Sequence, residues 1–284
     1  MIFNRRTKEY TEEKESIKLR FLYYNFVGRV FLKILTRKPL TNLGGCYMNT
    51  KLSTRRIPKF IKQNKINMDE YIDEEYNSFN QFFIRKIKDG ARMLPKDKNL
   101  FLSPADSKLS VYPIDEETVL SIKNSKYTID EFVRDKELAE KYKGGYCFVY
   151  RLCVDDYHRY FFIDNGNIKD QKKIKGVFHT VQPIAFKKYN VFSENSRECT
   201  ILETENFGII TQIEVGALMV GRIHNNKVDT FKRGDEKGYF LFGGSTVVLL
   251  VEKDKVIVDK DILNHSKQDI ETKVLLYDVV GKKK

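Results

Sequence analysis

Hydrophobic and polar positions divide this chain into two stretches of different period. From Tyr10 to Lys38 apolar residues recur at spacings of three and four, which predicts a helix closed by Pro39. Shorter helical pieces follow over Ile57 to Gln63 and Met68 to Phe83, so residues 1 to about 75 read as a helical segment. After Pro95 short alternating or apolar runs take over. They are Leu109 to Tyr112, Thr118 to Ile122, Tyr146 to Cys153, Tyr160 to Ile163, Thr180 to Phe186, Glu198 to Glu203, Gly208 to Val220, Tyr239 to Val251 and Val274 to Val279. Many short strands with turn residues between them predict a mostly antiparallel β-sandwich or barrel-like body, interrupted by one helix over Ile129 to Tyr142. The expected class is α+β, divided into 1–75 and a β-rich domain over 76–284.

One stretch breaks the pattern. In Lys237 to Val251, Gly243-Gly244-Ser245-Thr246 interrupts an otherwise apolar run. Glycine inside a strand marks a bulge, a bend or a close backbone approach. Two readings compete: a plain hairpin turn of the Gly-Gly-Ser type, or a buried hydroxyl placed beside an uncrowded carbonyl, which is a nucleophile next to its own target.

Charge changes the picture at the N-terminal end. The chain carries 51 Lys and Arg against 39 Asp and Glu, a net charge of +12, which suits an anionic partner such as acidic lipid or nucleic acid. On the first predicted helix Lys18, Arg29, Lys33 and Arg37 fall within roughly 100° of one another. Leu19, Phe21, Leu22, Phe26, Val30, Phe31, Ile34 and Leu35 are left across a wide apolar face. Such a helix either lies in a membrane interface, where each basic side chain adds about 1 kcal/mol against anionic lipid, or packs that face on the rest of the protein. The opening Met1-Ile-Phe-Asn-Arg-Arg leads into a charged segment and does not read as a signal peptide. The longest uncharged run, Gly238 to Val251, is shorter than the roughly 20 residues a spanning helix needs. Cys46, Cys147, Cys153 and Cys199 have no zinc-type spacing and read as reduced thiols of a cytosolic protein, with no metal site expected.

Candidate acid-base groups are few, because the chain has four histidines. His158 follows an apolar strand and is flanked by Asp155, Asp156 and Arg159; His179 lies in Val177-Phe-His-Thr-Val; His224 and His265 sit in polar, turn-like surroundings. A histidine at a strand end is most often structural. Asp106, in Ser103-Pro-Ala-Asp106, reads by itself as an Asx-turn residue. An aspartate, a histidine and a serine are also the orienter, proton acceptor and attacker that a hydroxyl nucleophile needs.

The residues also form an ordered series. Phe79-Asn-Gln-Phe-Phe83 with Arg85 and Arg92 comes first, then Ser103-Pro-Ala-Asp106, Arg151-Leu with Asp156-Tyr-His158-Arg159, and Asn195-x-Arg197. Val215-Gly-Ala217 with Val220-Gly221 follows, and Lys232-x-Gly-x-Glu-x-Gly238-x-Phe240 runs into Gly244-Ser-Thr-Val247. Over residues 75 to 252 this resembles the phosphatidylserine decarboxylases.

The resemblance implies a proenzyme that cuts itself between Gly244 and Ser245, giving a β chain of residues 1–244 and an α chain of residues 245–284. Ser245 would attack the Gly244 carbonyl, β-elimination would free the upstream carboxylate, and hydrolysis would leave a pyruvoyl group at position 245, the covalent cofactor. The substrate amine would condense with that ketone, forming a Schiff base, and loss of carbon dioxide would convert phosphatidylserine to phosphatidylethanolamine. The roles carried over are Ser245 as nucleophile, Asp106 as orienter and His158 as base. Many relatives have a second histidine where this chain has Phe161, so His179 is kept in reserve. Ser107 stands where the family usually has glycine, and Gly243 where leucine is more usual. The implied partners are phosphatidylserine, an anionic membrane surface and the protein's own two chains, and the implied location is the cytoplasmic side of the cell membrane, held peripherally through residues 1–75. Two other readings remain: a non-catalytic basic module binding anionic lipid or nucleic acid, and a pyruvoyl decarboxylase of a different amino-containing substrate. Nothing in the chain resembles a nucleic-acid motif.

Overall fold

In the computed structural model the described residues are 1–284 except 14–15, 37–43, 123–124, 187, 218–222 and 244, with the backbone alone for 120–122, 125–126 and 186. Its centre is the strand Ser245–Val251, all seven residues of which are buried. A run of β-branched and aliphatic residues without alternation suits a strand covered on both faces. It pairs antiparallel with Gly208–Val215 on one side and Tyr146–Leu152 on the other. Around it lies a ten-stranded sheet in the order Thr230–Phe231, Gly166–Ile174, Arg197–Thr204, Gly208–Val215, Ser245–Val251, Tyr146–Leu152, Ser107–Pro113, Glu271–Val274, Ile2–Asn4, Glu9–Thr11. Among the described strands of this sheet only Ile2–Asn4 and Glu271–Val274 run parallel.

Alternation along the central strand builds two cores. Val248 and Leu250, with Val149, Ile213 and Val215, face the helices Ile17–Tyr24, Phe26–Leu35 and Ile129–Val133. Val247, Leu249 and Val251, with Phe148, Tyr150 and Leu152, face the helix Lys260–Lys267 and two three-stranded sheets. Those sheets are Ile223–Asn225 with Glu236–Phe240 and Arg159–Phe161, and Val256–Val258 with Val279–Lys283 and Leu100–Leu102. Each such side chain contributes about 1.5–3 kcal/mol on burial, an upper bound because the unfolded chain also buries some surface. The α+β class and the sandwich reading match this body. The barrel-like alternative does not, because the ten-stranded sheet stays open, ending at Thr230–Phe231 and Glu9–Thr11.

Several predicted elements are corrected. Residues 1–75 do not begin as helix: Ile2–Asn4 and Glu9–Thr11 form a β-hairpin that extends the sheet, because the edge of Glu271–Val274 offers a ladder that local propensity cannot register. The helix expected from Tyr10 to Lys38 is two helices, broken at Asn25, whose side chain accepts from the amides of Val27 (2.9 Å) and Gly28 (3.4 Å) and caps the second. The two helices cross at Gly28, where a Cβ would come within 2.1 Å of the Phe21 carbonyl oxygen. The stop at Pro39 and the Val220-Gly221 pair lie outside the described residues. Thr180 to Phe186 is not a strand; it ends in a short helix, Pro183–Phe186. The helix predicted over Ile129 to Tyr142 is split into Ile129–Val133 and Lys136–Glu140 by Arg134 in the left-handed region. The strand Gly166–Ile174 was not legible, because its polar sequence GNIKDQKKI lies mostly towards solvent.

Candidate active site

Gly243-Gly244 is flanked by strands that do not pair with each other as the arms of a hairpin would. The strand before it, Glu236–Phe240, belongs to a three-stranded sheet and the strand after it to the ten-stranded sheet, so the chain crosses between layers here. The approach is held by the helix Phe79–Phe83: the Phe242 amide donates to Asn80 Oδ1 at 3.0 Å, and the Phe242 ring packs on Phe79 and Phe83. Gly243 has φ of +133°, a conformation that side-chain-bearing residues rarely adopt and glycine takes freely. Gly244 lies outside the described residues.

Ser245 opens the central strand, fully buried, in register with Leu152. By alternation its side chain shares the face of Val247 and Leu249. After Leu152 the chain makes a tight turn, Cys153 to Asp156, that returns His158 opposite the serine. Ser245 Oγ lies 3.2 Å from His158 Nδ1, and His158 Nε2 lies 2.8 Å from the Cys153 carbonyl oxygen. A carbonyl only accepts, so Nε2 carries the ring proton and Nδ1 is the free acceptor for the serine hydroxyl. Phe83 stacks on the imidazole at 4.1 Å and fixes its plane.

The turn that aims His158 has its own support. Asp156 Oδ2 accepts from the Cys153 amide at 2.6 Å, and Lys108 Nζ donates to both Asp156 oxygens at 2.8 and 2.6 Å. Burial alone would raise the Asp156 carboxyl, but Lys108 together with the Cys153 amide more than reverses this and holds it below the usual carboxylate range. Cys153, Asp155 and Asp156 offer three ligand atoms within 4.8 Å of one another. The Lys108 ammonium already fills that position, 3.8 Å from Asp155 and 2.6 Å from Asp156.

Burial lowers the His158 pKa from the ordinary 6.5 to about 3; Asp156 opposes this, and the Arg85 and Lys108 charges add to it. Arg85 is itself fully buried, donates to the Tyr71 hydroxyl at 3.2 Å and lies 4.2 Å over that ring, with no carboxylate partner among the described residues. His158 is therefore neutral at pH 7. Two results are expected. A pH profile of any step it assists should show no histidine titration between pH 5 and 8. The unfolded chain takes up a proton near 6.5 and the folded one near 3, so this histidine's share of stability is fully present above 6.5 and is lost as pH falls towards 3. Denaturant titrations across that range would check the second point.

The other candidates lie elsewhere. Asp106 makes no hydrogen bond to His158. Its carboxylate pairs with Arg92 at 2.7 and 3.2 Å and accepts from the Leu276 amide at 2.7 Å, tying residues N-terminal to the body to the C-terminal segment. Burial pushes this carboxyl up against the pull of Arg92. Phe161 donates its amide to the Pro104 carbonyl two residues from Asp106. His179 stacks on Tyr189 at 4.0 Å and its Nδ1 lies 3.3 Å from the Tyr23 hydroxyl oxygen, on the helix-covered side of the sheet; burial lowers its pKa to about 4. His224 is exposed and stacks on Tyr239, and His265 lies against Phe3 near the N-terminal hairpin. Sequence reasoning assigned no role to Lys108, Asp156, Phe83 or the Cys153 carbonyl. The spacing in Asp156-Tyr-His158 was the one signal that pointed there.

Comparison with known proteins decides the family. The phosphatidylserine decarboxylase family model matches residues 79–273. The chain belongs to the phosphatidylserine decarboxylase family. It is 48% identical over 283 residues to phosphatidylserine decarboxylase proenzyme 2 of Clostridium acetobutylicum, covering 99% of this chain and 97% of that one. It is 44% identical over 293 residues to the proenzyme of Clostridium tetani, covering 99% and 97%. Against the proenzyme of Fusobacterium nucleatum the figures are 43% over 277 residues, covering 94% and 91%. Membership of this decarboxylase family disfavours the non-catalytic module and the different amino-containing substrate.

Proposed function

We propose that this phosphatidylserine decarboxylase makes its own pyruvoyl group at Ser245 and that His158 is the base. The observation that carries the proposal is the buried Ser245 Oγ to His158 Nδ1 contact of 3.2 Å, with the opposite ring nitrogen pinned to a carbonyl. The residues fit such a group: a serine at a strand start, closed off from water, with an oriented proton acceptor beside it.

The chain is a carboxy-lyase that converts phosphatidylserine to phosphatidylethanolamine and carbon dioxide. In self-cleavage His158 Nδ1 takes the hydroxyl proton as Ser245 Oγ adds to the Gly244 carbonyl, and the amide becomes an ester. Removal of the Ser245 Cα proton then expels the Gly244 carboxylate, and the dehydroalanine left at 245 takes up water and loses ammonia. The resulting pyruvoyl carbonyl supplies an electron sink for the pair released as carbon dioxide leaves. Phe83 and the Cys153 carbonyl keep His158 aimed at position 245. With Phe161 in place of a second histidine and His179 across the sheet, His158 serves both cleavage and decarboxylation. Asp106 acts by holding the C-terminal segment through Leu276, not by orienting the base.

The two chains stay together after the cut, because residues 245–284 supply the central strand and Glu271–Val274, each hydrogen-bonded on both sides by residues of the β chain. Mass spectrometry of purified protein tests the reading: two chains, the smaller of residues 245–284 and blocked by a pyruvoyl group. An intact chain in an active preparation would sink it.

The substrate is a membrane lipid, and no helix among the described residues is long and apolar enough to cross a bilayer. The N-terminal helix pair divides its apolar side chains. Tyr23 and Leu32 are buried in the core, while Phe21, Phe26, Val30, Phe31 and Ile34 are exposed, Phe26 at 74%. We read the exposed set as lying in the interface on the cytoplasmic side, with Lys18, Arg20, Arg29 and Lys33 at the headgroups. Burying a phenylalanine is worth about 1.5–3 kcal/mol, so Phe26→Asp and Phe31→Asp should each weaken vesicle binding about tenfold or more in a co-sedimentation assay.

A further inference from the structure

The chain's positive charge is confined to one region. Between residues 16 and 68 there are twelve Lys and Arg and no Asp or Glu. The remaining 39 basic residues meet all 39 acidic ones, so the rest of the chain is neutral overall and the +12 belongs to this region alone. Half of the twelve, Lys51, Arg55, Arg56, Lys59, Lys62 and Lys65, follow the exposed helix pair on the segments Lys51–Arg56 and Ile57–Asn64 and the residue after them. All six are exposed, and none is in an ion pair with a carboxylate among the described residues. The inner side of these segments, Ile57 with Phe60 and Ile61, packs on Phe79, Phe82 and Phe83, the helix that stacks on His158 and holds Phe242. The free cations therefore stand on the outside of the layer whose inside is the active site.

We propose that this strip is an electrostatic contact for an anionic lipid bilayer, and that the enzyme's own reaction weakens the contact. The inference rests on the decarboxylation and membrane readings above. A phosphatidylserine headgroup carries a phosphate, an ammonium and a carboxylate, for a net charge of −1. Decarboxylation breaks the bond to the carboxylate, releases neutral carbon dioxide and places one proton on the carbon. Phosphatidylethanolamine is left with no net charge. Each turnover thus removes one negative charge from the surface that holds the strip, while the exposed apolar helix pair is unaffected. Attraction of this kind is worth about fivefold in affinity per basic residue near the membrane and falls off within a Debye length. Retention is then highest on substrate-rich membrane and falls as product accumulates, which limits the reaction without a separate regulator.

The test compares the full-length enzyme on phosphatidylcholine vesicles carrying either phosphatidylserine or phosphatidylglycerol, which supplies the same charge without a serine headgroup. The bound fraction should decline on phosphatidylserine vesicles in step with phosphatidylethanolamine formation. It should stay constant on phosphatidylglycerol vesicles, and also for the Ser245→Ala protein on phosphatidylserine. Combining Lys51→Gln, Arg55→Gln and Arg56→Gln should weaken binding to phosphatidylglycerol vesicles about 100-fold. Independently of any variant, raising salt from 0.1 to 1 M, which shortens the Debye length from about 10 to about 3 Å, should release the unaltered enzyme. Undiminished binding while phosphatidylethanolamine accumulates, or salt-insensitive binding, overturns this inference alone. No phosphatidylethanolamine at all overturns the reading on which it rests. Tighter binding to a DNA oligonucleotide than to phosphatidylglycerol vesicles overturns the choice of partner.

Discussion

Replacing Ser245 with Ala should leave a single intact chain of 284 residues with no decarboxylase activity. In the proposed self-cleavage the hydroxyl is both the attacking group and the source of the cofactor, so its loss would remove both steps at once. Loss of a serine nucleophile alone costs about 10⁶-fold in enzymes where it has been separated from other effects. The variant should still fold. Ser245 is fully buried, and alanine removes one oxygen while leaving His158 Nδ1 without a donor, a cost of about 1–3 kcal/mol. Gel electrophoresis and a denaturant midpoint measured together make the prediction specific. Appearance of a 40-residue fragment beginning at position 245 in the variant would mean that another residue cuts the chain.

His158→Ala is expected to slow self-cleavage by about 10²–10⁴-fold, the usual contribution of a positioned general base. The imidazole is the hydrogen-bond partner of Ser245 Oγ, and its tautomer is set by the Cys153 carbonyl, so among the described residues it is the group arranged to take the proton. Because Phe83 stacks on the ring, alanine also opens a gap, and His158→Gln, close in size, controls for lost packing. The assignment of both steps to His158 makes a further demand: whatever fraction of the variant is cut must decarboxylate slowly per cut molecule. Normal turnover in that fraction would confine His158 to cleavage. His179→Ala, by contrast, loses contacts to Tyr23 and Tyr189 and should affect seating of the N-terminal helices more than either step.

These expectations show where sequence reasoning sufficed and where it did not. Ser245 and His158 were legible because each lies in a short motif with a definite order along the chain, and the structure places them in contact. Asp106 was legible as a residue but not as a contact. Its turn could be read from Ser103-Pro-Ala, whereas its pairing with Arg92 and the Leu276 amide depends on three segments far apart in sequence. The Lys108 to Asp156 pair is of the same kind, because strand register brings position 108 opposite Arg151, at the root of the turn that carries His158.

What the sequence determined by itself was local and compositional: the class of the body, the helical character of the stretch that forms Ile17–Tyr24 and Phe26–Leu35, the glycine-serine break and, through its ordered motifs, the family. Periodicity and side-chain chemistry act over a few residues, and a sequence displays them directly. The tertiary structure decided which strands are neighbours, that the chain crosses between layers at Gly243, that His158 and not His179 meets Ser245, and that the first eleven residues extend the sheet. Those outcomes depend on ladder hydrogen bonds and burial between segments far apart in the chain, as with Ile2 opposite Glu271. No window along the chain contains them.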